Sequence, residues 1–173
     1  AANVINAIRR HQPSIPMTIT TTTATGAKQV TSLFKDTVTH CYLPLDLPWM
    51  MSHLLKQAAP AHVIITEVEL WPNMIDQCWR KGIPVSVINA RMTSNSMRSY
   101  EKISALFSPM LHKLYKICAQ GDRDFKNYQQ LHTPEQTLLL TNNIKFEQTV
   151  HPEAHQLASE FAQMFNLVDR AIV

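Results

Sequence analysis

The chain has 173 residues, 45% hydrophobic and 17% charged, with a formal net charge of +3, a mean hydropathy of −0.14 and an isoelectric point near 8.8. That length allows one domain with a sizeable core, or one domain and the start of another, and the composition is that of a globular protein. The slight basic excess suits an anionic ligand but is too weak to indicate nucleic acid, and no run approaches the ~20 apolar residues of a membrane span.

In chain order, Ala1–Arg10 reads as a helix with Val4, Ile5 and Ile8 on one face and no strand before it. Apolar, β-branched runs then alternate with helical patterns: strand Met17–Thr22, helix Ala27–Phe34, strand His40–Leu45, helix Pro48–Ala58, strand Val63–Val68 and helix Pro72–Lys81. The alternation continues with strand Val85–Ala90, helix Met97–Leu114, strand Lys116–Gln120, helix Asp122–Leu131, strand Thr137–Leu140, helix Pro152–Phe165 and an apolar run at Ala171–Val173. Such alternation predicts an α/β fold, a largely parallel sheet flanked by helices. Gly26, Gly82 and Gly121 fall at junctions where permissive backbone is expected. No signal peptide opens the chain, so a soluble segment with cytoplasmic exposure is the default expectation. Both ends cut an element short, and a piece of a larger protein is expected.

Three cysteines, Cys41, Cys78 and Cys118, are widely spaced and form no CxxC, which favours reduced structural thiols over disulfides or a zinc site. His151 and His155 have i,i+4 spacing, but without a third ligand or HExxH they read as a solvated pair, and no metal is expected. The phosphate-cradling patterns GxGxxG and GxxxxGK[ST] and the nucleophile elbow GxSxG are all missing.

What carries chemistry is the set of polar residues just beyond the strands. Glu67 and Glu69 follow one strand and precede Pro72, where a helix can begin; if the strand stays extended, its period of two points both carboxylates to one side. Thr25 and Gly26, Asp46, Asn89 and Arg91, Gln120, and Asn143 and Lys145 follow the other strands. In a parallel sheet these ends share one edge, where ligands bind. Plainer readings stand beside this: Asp46 before Pro48 as a helix N-cap, Thr25 as another, and Arg91 and Lys145 as surface residues. Arg91–Lys116 is basic, with Arg91, Arg98, Lys102, Lys113 and Lys116 against Glu101. Its apolar residues recur at helical spacing, so it serves either as core packing or as a basic, partly apolar surface for an anionic lipid.

Glu67-Val68-Glu69-Leu70-Trp71-Pro72-Asn73, Ile88-Asn89-Ala90-Arg91 and Asn143-Ile144-Lys145-Phe146-Glu147, in this order and spacing, closely resemble the amino-terminal domain of the Kdo (3-deoxy-D-manno-octulosonic acid) transferases of lipopolysaccharide synthesis. Thr22–Gly26, Tyr42–Pro48, Ser96–Tyr100 and Cys118–Gln120 extend the likeness over nearly all of residues 1–150. The resemblance implies a GT-B glycosyltransferase of two Rossmann-like domains, inverting and without metal or other cofactor. The first domain binds the acceptor, a lipid A precursor, and the second binds CMP-Kdo, at the cytoplasmic face of the bacterial inner membrane. Residues 1–150 then form the acceptor domain, lacking its first strand and catalytic loop, and residues 151–173 a helix and the start of the link to the donor domain.

Glu67, Glu69 and Lys145 are expected to support catalysis, and Thr25, Gly26, Asn89, Arg91, Arg98, Lys102, Gln120 and Asn143 to bind the acceptor. The family's Ser-x-Gly-Glu element, with its proposed base, immediately precedes the helix matching Ala1–Arg10 and is not in this sequence, so the chain alone is expected to transfer no Kdo. Two departures are Val68 for a threonine and Asn142 for a glycine; Asn tolerates left-handed backbone and Val suits a buried strand. The other readings are a non-catalytic module for anionic glycolipids, which needs no acidic pair, and a GT-B sugar-nucleotide epimerase acting on a soluble substrate.

Overall fold

The computed structural model describes residues 2–67 and 69–143. It runs α1 (Ala2–His11), β1 (Thr18–Thr21), α2 (Ala24–Phe34), β2 (Thr39–Tyr42), α3 (Pro48–Ala58), β3 (Val63–Thr66), α4 (Pro72–Arg80), β4 (Val85–Ala90), α5 (Ser94–Glu101), α6 (Ser104–Leu111), β5 (Lys116–Ala119), α7 (Asp122–Gln130) and β6 (Leu138–Leu140). Lys145, His151, His155 and the elements expected over 152–165 and 171–173 lie outside the described residues.

Every strand pair is parallel, in two groups: β1 beside β2, and a four-stranded sheet in the order β3-β4-β5-β6. Short β-branched runs make the strands, and Pro48 and Pro72 open α3 and α4, where the missing N–H has no intrahelical partner to lose. At Gly82 φ is +67°, the left-handed conformation that ends α4 at least cost in glycine. Gly121 is simply extended, at φ −171°, so any residue suits it.

The helix expected over 97–114 is two helices. Ile103, at φ −117° and ψ 30°, leaves helical geometry between α5 and α6. The bend lets Tyr100 stack on Phe107 with centroids 3.9 Å apart while Phe107, Met110 and Leu111 turn into the core. A straight helix would carry the two aromatic rings about two turns apart.

The main core lies around the four-stranded sheet. Val85 and Val87 of β4 and Ile117 of β5 pack with Met51 of α3, Ile75 and Cys78 of α4 and Tyr128 of α7. Val30 and Phe34 of α2 are buried too but stand outside that cluster. All three thiols are free, and burial pushes the Cys78 thiol up to about 11. Ile75 has no exposed surface, so Ile75→Ala is expected to cost about 2–5 kcal/mol of stability, read from urea unfolding midpoints at constant slope.

Candidate functional site

Because β3 to β6 are parallel, the segments that follow them open at one edge. At β3 the extended chain ends with Thr66. Glu67 still donates its N–H to Ile88 O at 2.9 Å, but its backbone has swung to φ +66°. The expected two-residue alternation from Glu67 to Glu69 therefore does not hold. Both carboxylates are exposed at the β3–α4 junction, and a left-handed conformation at a non-glycine residue is a strained one.

At β4 the end is sharper. Asn89 has φ +50°, and the β4–β5 register shifts between Val87 and Ala90. This is the bulge that one left-handed residue introduces, re-aiming the chain that follows. Asn89 is 2% exposed, and its Oδ1 has no hydrogen-bond partner among the described residues. On the neighbouring strand Gln120 donates its N–H to Ala90 O at 2.9 Å, while its buried Oε1 is also unpartnered. Buried polar atoms are nearly always satisfied, and here two acceptors without a partner among the described residues stand at adjacent strand ends.

The strained segment is clamped from α7. Asp124 Oδ1 accepts from Met92 N at 2.8 Å, and Asn127 Nδ2 donates to Met92 O at 2.6 Å. Both residues are buried, and sequence reasoning missed them because a polar helix face reads as solvated. The usable signal was Asp124 in the first turn of a helix, where acids gather. Arg91 is exposed just before this clamp, and Asn143 is half-buried after Asn142, whose φ of +60° is the left-handed conformation expected of a residue standing for glycine.

On the other sheet, Thr23 rather than Thr25 caps α2, its Oγ1 accepting from Gly26 N at 3.1 Å. Thr25 is exposed in the first helical turn. A Cβ on Gly26 would come within 3.2 Å of Thr23 Oγ1 and 3.3 Å of Thr21 Cβ, so a side chain there crowds the cap.

Asp46 is a cap, but of α4 rather than of the helix it precedes. Its Oδ2 accepts from Asn73 N and its Oδ1 from Met74 N, both at 2.9 Å, while Asn73 Nδ2 donates to Asp46 O at 2.7 Å. α3 starts at Leu47 with no side-chain cap. The amino end of α4 is thus served by Asp46.

The basic group expected along one helix is divided. Arg98 and Lys102 are exposed on and just after α5. Lys113 and Lys116 belong to the opposite, amino-terminal end of the sheet: Tyr115 N bonds Val85 O at 2.8 Å, and Lys116 opens β5. Lys113 Nζ is 2.6 Å from Asp76 Oδ1 and 5.2 Å from the centre of the Trp79 ring. With Arg80 on its other oxygen, Asp76 is held below the usual carboxylate range, chiefly by the hydrogen bond from Lys113. Among the described residues no group of three His, Cys, Asp or Glu is placed to hold a metal ion, and no helix is long and apolar enough to cross a membrane.

The sequence profile of the family described as 3-deoxy-D-manno-octulosonic-acid transferase (kdotransferase) matches residues 1–148. The chain belongs to that family. It is 35% identical to the 3-deoxy-D-manno-octulosonic acid transferase of Haemophilus influenzae over 88% of its own length and 36% of the relative's. It is 28% identical to the enzyme so named from Bordetella pertussis, over 81% of this chain and 33% of that one. The chain therefore spans about a third of the curated relatives it matches. A bifunctional glycosyltransferase/methyltransferase of Fusobacterium nucleatum is 24% identical over 76% of this chain and 20% of its own. A UDP-GlcNAc 2-epimerase from Neisseria meningitidis, solved with UDP-GlcNAc, superposes with a TM-score of 0.60 at 16% identity, over 97% of this chain and 51% of that one. That likeness carries the fold alone, and it agrees with the amino-terminal half of a GT-B fold.

Asp46→Ala removes two charge-assisted bonds from the start of α4 and is expected to lower stability by about 1–3 kcal/mol, with Asp46→Asn losing less; urea midpoints measure both. Asp76 titrates below its ordinary 3.8 in the folded protein, so its contribution is present above that value and is lost as pH falls through the folded pKa. Asp76→Asn is expected to cost about 1 kcal/mol or less at neutral pH and nothing once the carboxyl is protonated in both states. Urea midpoints of both proteins, taken from neutral pH downward in steps, follow that difference as it closes.

Proposed function

We propose that residues 1–150 are the acceptor-binding domain of an enzyme that transfers Kdo from CMP-Kdo to a lipid A precursor at the cytoplasmic face of a bacterial inner membrane. The observation that carries this reading is a polar edge bounded by an apolar rim. Leu45 is 72% exposed and Trp49 67%, and Tyr42 and Leu47 beside them are exposed too. Asp46, in the middle of this stretch, is bonded to the β3–α4 junction that carries Glu67 and Glu69. An acceptor that is part sugar phosphate and part acyl chain needs both surfaces side by side. A soluble sugar nucleotide, as in the epimerase reading, has no use for the rim, and a lipid-binding module has none for the acids.

In this reading Glu67 and Glu69 shape the acceptor site and orient the base, which residues outside this sequence supply. Asn89 Oδ1 and Gln120 Oε1 accept from sugar hydroxyls, and Arg91 and Asn143 hold the sugar phosphate from either side. Thr25 and Gly26 line the far side, Arg98 and Lys102 draw in the anionic headgroup, and Lys145 neutralises a phosphate or carboxylate. Inversion needs a base on the attacking hydroxyl and cations or dipoles for the departing CMP phosphate; the donor domain follows residues 151–173.

The test is sedimentation of residues 1–173 with phosphatidylcholine vesicles with and without bisphosphorylated lipid A precursor. Leu45→Ser with Trp49→Ser is expected to lower retention about tenfold at any salt, as lost apolar burial does. Arg98→Glu with Lys102→Glu is expected to lower it only at low ionic strength. Equal retention of all three proteins on both vesicles would sink the reading.

A further inference from the structure

At the amino-terminal end of the four-stranded sheet, away from the polar edge, a shallow cleft of about 300 Å³ opens between the end of α4 and the start of β5. Trp79, Ile83, Pro84, Lys113, Leu114 and Tyr115 line it, and a Cβ added at Gly82 meets no atom within 4 Å, so its mouth is open there. Trp79 and Tyr115 are each 58% exposed. A single large ring on a surface is ordinary, but an indole and a phenol lining one cleft form the kind of aromatic patch that interfaces use.

Both rings are held in place. Lys113 Nζ is shared between the Trp79 ring and Asp76, while Lys116 Nζ lies 5.7 Å from the centre of the Tyr115 ring and donates to Gln136 O at 2.6 Å. His62 meets Tyr115 edge-on at 5.8 Å, and its Nε2 is 3.0 Å from Ser86 Oγ. Rings fixed in this way have fewer states to lose when a ligand arrives. The charge around the cleft is one-sided. Arg80, Lys81, Lys113 and Lys116 stand against Asp76, which Arg80 and Lys113 already share, and Glu135, which adjoins Gln136. Lys81 is exposed and has no ion pair among the described residues.

We propose that this cleft docks an acidic, proline-containing segment of a partner protein, with prolines on the Trp79 and Tyr115 rings and carboxylates on Lys81 and its basic neighbours. A polyproline segment is extended before it binds, so a shallow groove of modest area can hold it, and flat rings beside Pro84 suit pyrrolidine rings. The basic surround selects acidic residues between the prolines. A bilayer fits the position less well. α4 starts where Asp46 caps it, beside the rim of Leu45 and Trp49, and a rise of about 1.5 Å per residue puts Trp79 about 10 Å away at the other end of the helix. A flat membrane resting on the rim leaves the cleft in solution. A second copy of the chain, seated cleft to cleft, brings the same excess of cations and is repelled.

The test is the anisotropy of a fluorescein-labelled peptide of about ten alternating Glu and Pro residues, titrated with residues 1–173 at low ionic strength. A peptide of Glu alternating with Gly is expected to bind about tenfold more weakly, because it must first be ordered. Trp79→Ala with Tyr115→Ala is expected to weaken the Glu-Pro peptide about tenfold at any salt, and Trp79→Phe with Tyr115→Phe to weaken it less. Lys81→Glu with Lys116→Glu is expected to weaken it about tenfold at low salt and less as salt rises. Lys28→Glu with Lys126→Glu, the same change of charge on α2 and α7, is expected to leave it within about twofold. All these side chains are exposed or half-buried, so each protein is expected to fold. Equal binding of the Glu-Gly peptide, unchanged binding by the Trp79→Ala, Tyr115→Ala protein, or no binding at about 1 mM protein overturns the proposal. So does retention on phosphatidylglycerol vesicles, or a concentration-dependent dimer, that the same double substitution abolishes while the peptide stays unbound. No lipid A precursor enters the measurement, so none of these results bears on the acceptor reading.

Discussion

One carboxylate joins the two halves of this structure. β1 and β2 share no main-chain ladder with β3 to β6, and the buried residues of α2 lie outside the main core. What crosses between them is α3, packed on α4 through Met51 and Leu55, and Asp46, whose two oxygens take the first free N–H groups of α4. Apolar packing of α3 sets how close the halves come but is non-directional. The hydrogen bonds of Asp46 fix register, because a carboxylate can satisfy two successive amides of a helix start only in a narrow range of positions. The place of Glu67 and Glu69 relative to the β2–α3 loop follows from that contact.

The periodic part of the fold was legible in the sequence. Six strands and most helices stand where β-branched runs and helical spacing put them, because those patterns report burial and burial is what the elements achieve. Legibility failed where a single residue decides. Nothing in Met97–Leu114 distinguishes a straight apolar stripe from one broken at Ile103, since both bury Phe107 and Leu111. Asp46 before Pro48 satisfies the local rule for a cap so well that its use 27 residues away could not be read. The basic residues of Arg91–Lys116 form one group in sequence and two in space, because the chain crosses from one end of the sheet to the other between Lys102 and Lys113.

The strand ends show the same division. That polar residues collect beyond parallel strands follows from topology, and Glu67, Asn89 and Gln120 were found that way. Their conformations were not. Left-handed backbone at Glu67, Asn89 and Asn142 ends three of the four strands of the larger sheet. Asn visits that region at modest cost, whereas a glutamate there is held by its surroundings. At Asn89 the holding groups are identifiable, Asp124 and Asn127, which grip Met92 by its N–H and its C=O. Strain at one strand end is thus balanced by buried hydrogen bonds from a helix four elements further along the chain.

That balance bears on how the edge can work. The Oδ1 of Asn89, without a partner among the described residues, is carried by a bulge whose exit is clamped at the buried Met92. The main chain that carries this acceptor is set by the fold, because the bonds at Met92 are made in folding. The apolar rim is fixed by similar means: Leu45 and Leu47 flank Asp46, so the bonds that cap α4 also hold these side chains out. Polar edge and apolar rim are therefore set by two anchors, Asp124 with Asn127 on one side and Asp46 on the other, and both grip main chain. Main-chain anchoring leaves the side chains of Glu67, Glu69 and Arg91 exposed along the edge.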